Sequence, residues 1–212
     1  MISNCSYIGK GLAFTLELTF GGVAIGLILG CLLSVLRHCR ICIALINGWV
    51  SVIRGTPLIL QMSIIYFSFP SLMGVKLSML SAGIISFGLN SSAYVAEILR
   101  SGIESLPKGQ FEAAQTLGIP NFFLWKDIIL PQVILNILPA MINEVIALLK
   151  DTTLISVIGG MDIMRRSQII AAEQFEYFMP LCTAAAYYYC LVLLIEFVGR
   201  KIERRMGYAK NS

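Results

Sequence analysis

The sequence predicts an all-α integral membrane protein with five transmembrane helices and one structured loop on its cytoplasmic side. Three observations predict it. Of the 212 residues, 57% are hydrophobic and 13% charged, with a mean hydropathy of +0.81, whereas soluble domains carry about 25% charged residues. The apolar residues gather into five stretches, each near the ~20 residues that cross a bilayer. The longest polar interruption, Arg100–Lys126, is amphipathic and broken by Pro and Gly, so it reads as shaped rather than loose.

In chain order the stretches are about Leu12–Leu36, Leu45–Phe69, Leu77–Leu99, Ile128–Leu149 and Met179–Val198. Met1–Gly11 is polar with a single Lys, and no cleavage site is evident after it, so an anchor that is kept is expected rather than a signal peptide. In the first stretch Gly21, Gly22, Gly26 and Gly30 allow close helix packing. The second is the weakest, because it holds Arg54, Pro57 and Gln61. Pro57 opens the backbone there, and Thr56 is placed to satisfy a freed carbonyl. Arg54 has two readings, a snorkelling side chain or the partner of an acidic neighbour. The chain 1–212 is expected to be a single transmembrane domain.

Lys and Arg set the orientation. With the N-terminus outside, the inner segments hold Arg37, Arg40, Arg100, Lys108, Lys126, Arg200, Lys201, Arg204, Arg205 and Lys210. The outer segments hold Lys10, Lys76, Lys150, Arg165 and Arg166. The positive-inside rule therefore places the N-terminus outside, the C-terminus in the cytoplasm, and Arg100–Lys126 in the cytoplasm. The net charge of +4 belongs to these loops and does not call for nucleic acid.

Within the loop, Pro107 and Gly109 mark a turn and Gln110–Leu117 reads as a short helix. Gly118 terminates it and Pro120 prevents its direct resumption. Asn121 is a candidate N-cap for a second short helix. Ala113, Ala114 and Leu117 are assigned to one apolar face, with Glu112 and Gln115 elsewhere. Such a helix–turn–helix either rests in the lipid interface or docks a cytoplasmic partner.

Charges inside spans are costly and need a reason. Asn90, Tyr94 and Glu97 recur at i, i+4 and i+7, a polar stripe on one helix face. It is either glue between helices or the lining of a path. Asn143, Glu144, Lys150, Asp151 and Thr152 cluster at the end of the fourth stretch, as a solvated loop or as a site. An α-amino acid carries an ammonium and a carboxylate, so a site for one needs both signs. Lys150 would meet the carboxylate, and Glu144 or Asp151 the ammonium or a cationic side chain.

Other functions find little footing. There is one histidine, His38, and the six cysteines are read as small hydrophobes or loop residues rather than a metal set or a disulfide framework. There is no G-x-x-x-x-G-K-[ST] loop to cradle phosphates, and no H-E-x-x-H or G-x-S-x-G. No cofactor is expected on this chain. An ion-coupled secondary transporter is the main rival, although such proteins usually carry inverted repeats and more spans.

Four motifs carry a resemblance that covers nearly the whole chain. "EAAQTLG" at Glu112–Gly118, followed after nine residues by "IILP", resembles the EAA motif of bacterial ABC-importer permeases. "RGTPLILQ" (Arg54–Gln61), "NSSAYVAEILRSGIESLPKGQ" (Asn90–Gln110) and "LLKDTTLISVIG" (Leu148–Gly159) are similar to the polar amino-acid permeases, which import histidine, glutamine, glutamate, arginine, cystine or opines. One departure is "KDTTL" where the pattern has K-D-T-S-L. The resemblance implies the type I ABC importer permease fold, with Glu112, Ala113, Ala114, Leu117 and Gly118 in the coupling helix. It implies partner ATP-binding subunits that use the ATP, a second permease subunit, identical or homologous, and a periplasmic or surface substrate-binding protein. It also implies residence in the bacterial cytoplasmic membrane, and it associates the Lys150-Asp151-Thr152 region with the amino-acid path.

Overall fold

The computed structural model describes residues Ile2–Gly207, and those residues are helical almost throughout. Lys210, counted above among the inner charges, lies outside them. Helices α1 (Ile2–Gly9) and α2 (Gly11–His38) make one nearly continuous rod, so the polar N-terminal segment extends the first span instead of trailing from it. After α3 (Ile43–Gly55) come α4 (Leu58–Ser63), a π-helical turn (Ile64–Ser68) and α5 (Phe69–Met73). Next are α6 (Met79–Glu104), α7 (Lys108–Thr116) and the single turn α8 (Asn121–Phe123). A second π-helical turn (Leu124–Ile129) leads into α9 (Leu130–Asp151). The chain then runs through a 3₁₀ segment (Thr152–Ile158), α10 (Ile163–Gln174) and α11 (Phe178–Arg205).

Among the described residues, four helices are long and apolar enough to span a membrane: Asn4–His38, Met79–Glu104, Asn121–Ile158 and Phe178–Arg205. The second stretch is not straight. Ile43–Gly55 and Leu58–Leu72 meet at 102°, and they make a fifth span only if counted together. The cause is Pro57, which has no N–H to continue the ladder and whose ring excludes a helical residue before it; Thr56 is extended, with φ −117° and ψ 143°. Thr56 Oγ1 donates to Val52 O at 2.8 Å, as the sequence suggests. Gln61 does more of the repair. Its amide donates to Ile53 O at 2.8 Å, Thr56 O at 3.1 Å and Thr56 Oγ1 at 2.9 Å, bridging the break from the far side.

The centre of the bundle is α6, packed along α2. The backbones approach because the facing positions are glycine. A Cβ added at Gly26 would lie 2.7 Å from Ser91 Cβ, and one at Gly30 would lie 2.6 Å from Val95 Cβ. The glycines of the first span are thus used within this chain. Leu18, Met62, Phe87, Leu148 and Ile155 fill the core where α2, α4, α6, α9 and the 3₁₀ segment meet. Nearer the His38 end, Ile46, Val50 and Ile53 of α3 pack on Ala93 and Ala96 of α6.

At the opposite end α1, α10 and α11 pack together around Ile8, Ile163, Ile170 and Ala184. Asp162 caps α10, accepting from Arg165 N at 2.8 Å and from the Tyr188 hydroxyl at 3.0 Å. Burial holds the Asp162 carboxyl above the usual carboxylate range, and these donors pull it partly back. Cys39 and Cys42 stand at C-x-x-C spacing in the turn between α2 and α3, which corrects the sequence reading that no such pair is present; all six cysteines are free and exposed.

Candidate functional site

Three assemblies stand out, and they share α6. The first is a cavity of about 160 Å³ lined by Leu58, Phe87, Asn90, Tyr94, Glu144, Ala147, Leu148 and Asp151. Two polar faces converge there, Asn90 and Tyr94 from α6 and Glu144 and Asp151 from α9. Glu144 accepts from the Ser91 hydroxyl at 2.7 Å. Asn90 Nδ2 donates to Gln61 Oε1 at 3.3 Å, which fixes the cavity wall to the break in the second span. Asp151 sits exposed at the rim. Among the described residues the lining holds two carboxylates and no Lys or Arg.

The other sequence-predicted path residues stand apart from this cavity. Asn143 is exposed on α9. Lys150 is exposed beside Asp151 but does not line the cavity. Thr152 is fully buried, and its hydroxyl donates to Leu149 O at 2.6 Å, which leaves it a structural bond at the start of the 3₁₀ segment. Glu97 does continue the Asn90–Tyr94 face, but one turn further on, where the neighbours change from α9 to arginines.

Those arginines make the second assembly. Glu97 pairs with Arg37 at 3.4 Å, with Arg54 at 4.0 Å and with Arg100 of its own helix. Arg100 also pairs with Glu104. The Arg54 guanidinium lies 5.2 Å from the centre of the Tyr94 ring, a cation–π contact. Of the two readings for Arg54, pairing with an acidic neighbour is the one observed.

The third assembly is the loop at α7. Gly118 has φ +67°, a left-handed conformation that glycine adopts without penalty. Ile119 N donates to Ala114 O at 3.0 Å and Gly118 N to Gln115 O at 3.1 Å, the two bonds of a Schellman stop. The terminator expected from sequence is therefore built as expected. The face assignment is corrected. Only Ala114 points inward, joining Leu106, Leu124, Ile129, Val133 and Ile137 in a small core. Ala113 and Leu117 face out, and Leu117 is 75% exposed. Adjacent helical positions differ by about 100°, so Ala113 and Ala114 cannot share one buried stripe. Asn121 is the first helical residue, and Pro120 holds the cap position.

The loop is tied to the bundle at both ends. Gln110 and Gln132 exchange amide hydrogen bonds at 3.0 and 2.9 Å, and Gln132 also donates to Ile128 O. Trp125 packs edge-on against His38 at 4.5 Å and lies 6.3 Å from Phe111, joining the loop to the end of α2. The loop's outer surface carries three exposed large apolar side chains, Leu117, Phe122 and Phe123, beside the exposed polar Glu112, Gln115 and Lys126.

A multi-pass helical bundle with an acidic cavity between its central helices, and a preformed knob projecting from one face, defines a membrane transport subunit. The comparisons agree. Residues 22–208 match the family of binding-protein-dependent transport system inner membrane components, and the chain belongs to that family. It is 47% identical over 202 residues to a putative glutamine transport system permease protein of Rickettsia typhi, covering 94% of this chain and 93% of that one. It is 42% identical over 207 residues to the arginine transport system permease protein of Bacillus subtilis, covering 97% and 94%. Among solved structures, one of an amino acid ABC transporter with histidines superposes with a TM-score of 0.89 at 37% identity, covering 97% of this chain and 96% of that one. The inward-facing MetNI methionine ABC transporter shares the fold, with a TM-score of 0.70 at 22% identity. The chain is the permease subunit of a binding-protein-dependent importer, and the ion-coupled alternative finds no support.

Proposed function

We propose that this chain carries polar amino acids, neutral to basic in preference to acidic, through the cavity between α6 and α9. The observation that carries the reading is the lining: Glu144 and Asp151 converge with Asn90 and Tyr94, and no Lys or Arg stands among the described lining residues. Two carboxylates suit an α-ammonium or a cationic side chain. The Asn90 amide and the Tyr94 hydroxyl are donors of the kind a substrate carboxylate needs. The names of the glutamine and arginine relatives point the same way.

Energy comes from outside the chain. The exposed Leu117, Phe122 and Phe123 at the α7–α8 corner, with Glu112, Ala113 and Gly118 beside them, form a rigid surface for a partner ATP-binding subunit. A second permease subunit, identical or homologous, completes the path, and a substrate-binding protein delivers the amino acid at the opposite face. In the proposed orientation α7 faces the cytoplasm of a bacterial cell, the N-terminus faces outward, and α10 lies at the outer side. Alternating access follows as ATPase closure rocks the bundle through the loop.

The test is uptake of labelled arginine, glutamine and glutamate into vesicles holding the complex purified from native membranes through a tag on this chain. ATP-dependent uptake of arginine or glutamine, with glutamate a poor competitor, is the expected result. Uptake driven by an ion gradient without ATP would overturn the reading.

A further inference from the structure

We propose that Glu97 is a positioning residue for transport, joining the break in the second span to the α7 loop and so setting how tightly uptake follows ATP hydrolysis. The inference rests on the transport reading above.

The geometry is that of a junction. A single, largely enclosed carboxylate, 22% exposed, faces guanidiniums from three helices: Arg37 lies in the last turn of α2, Arg54 in the last turn of α3, and Arg100 on α6 itself. Each arginine has a second contact that leads somewhere different. Arg37 donates to Asn47 Oδ1 at 2.6 Å and thereby fixes the first half of α3. Arg54 stacks on Tyr94, a wall of the cavity. Arg100 reaches Glu104, the last residue of α6, with three residues between it and the start of α7. Cavity, break and loop therefore meet at one carboxylate.

Electrostatics makes the junction sensitive. Without the Glu97 charge, the guanidiniums that converge on it repel one another in a partly enclosed space. The element nearby that can yield is the 102° break, where Pro57 has removed a ladder hydrogen bond and the Gln61 amide reaches back across the gap to Ile53 O and Thr56 O. Repulsion is relieved there first, because α6 and α2 are locked by their glycine contacts. The span then moves without the loop, or the loop without the span. A merely structural clamp predicts something else, a lower yield of complexes that transport normally.

The experiment compares Glu97→Gln, Glu97→Asp and Arg54→Gln in vesicles containing the purified complex. It measures assembled complex, ATP hydrolysis, and arginine and glutamine uptake. For Glu97→Gln the expected result is assembly near the wild-type level and ATP hydrolysis retained, with ATP consumed per amino acid taken up rising about tenfold. Arg54→Gln should shift the same ratio in the same direction, the double variant should be no worse than the poorer single one, and Glu97→Asp should restore most of the coupling. If Glu97→Gln does not assemble, the ratio in Arg54→Gln and Glu97→Asp decides. An unchanged ratio in every variant that assembles would overturn the proposal and leave Glu97 a structural clamp. Absence of ATP-driven uptake by the wild-type complex would overturn the transport reading and this inference with it.

Discussion

Glu97 and Glu144 are carboxylates on two helices that touch, in the interior of one bundle, and their surroundings are opposite. Glu97 is ringed by arginines from α2, α3 and α6. Glu144 is held by the Ser91 hydroxyl, with a second carboxylate, Asp151, lining the same cavity. A charge at the centre of a span costs about 2.5–3.5 kcal/mol on insertion scales. Arginines offset that cost for Glu97. A serine hydroxyl offsets little of it for Glu144, which leaves the carboxylate free to be satisfied by a passing cation. On the proposed reading, an acidic group with its counter-charges in place marks a junction between elements, and one whose counter-charge must arrive marks a path.

The comparison breaks most sharply at Glu144. Glu144→Ala should reduce uptake about a hundredfold while leaving assembly with the ATPase intact, because a charge-assisted contact is worth roughly 1.5–3 kcal/mol and the larger figure applies where water is scarce. Vesicle uptake normalised to assembled complex is the measurement. Asp151→Asn should cost less, about tenfold in the same assay, because Asp151 sits at the exposed rim. On the loop, Leu117→Asp should weaken capture of the ATPase severalfold in co-purification, without loss of the inserted chain, because it places a charge on an apolar surface that supports none of the local core. Lys150→Ala should be the smallest effect. Uptake within twofold of wild type is expected, because Lys150 is exposed and lies off the cavity, and surface substitutions are usually within ±0.5 kcal/mol. A large loss in Lys150→Ala would mean that the site needs a cation after all.

Sequence reasoning reached the spans, the loop and its stop because each rests on a local rule. Apolar length finds the spans. A Gly followed by Ile and Pro after a short helix finds the Schellman stop, since few other residues tolerate φ +67°. Where it fell short, the missing information was tertiary. The pattern Asn90, Tyr94, Glu97 does share a helix face, but a face does not keep one neighbour along its length: α9 lies against its first part and arginines against its last. Ala113, Ala114 and Leu117 were assigned to one face because they are apolar, yet only Ala114 of the three is buried, and apolar character alone does not tell a core position from an exposed one. Gln61 was seen only as a blemish in a span, although a polar amide one turn beyond Pro57 is what a broken ladder needs. Helix α10 was read as an outer loop with two arginines, since its signal is the Asp162 cap and not hydropathy.

The most direct measurement sets Glu144→Gln beside Glu97→Gln in the same vesicles, recording arginine uptake and ATP hydrolysis together. Glu144→Gln keeps the shape of the cavity and removes only its charge, so uptake should fall and the ATPase should lose its stimulation by substrate. Glu97→Gln should keep hydrolysing ATP while uptake lags behind it. Wild-type uptake by Glu144→Gln, or the same profile from both variants, would contradict the division between a carboxylate that awaits its partner and one that already has it.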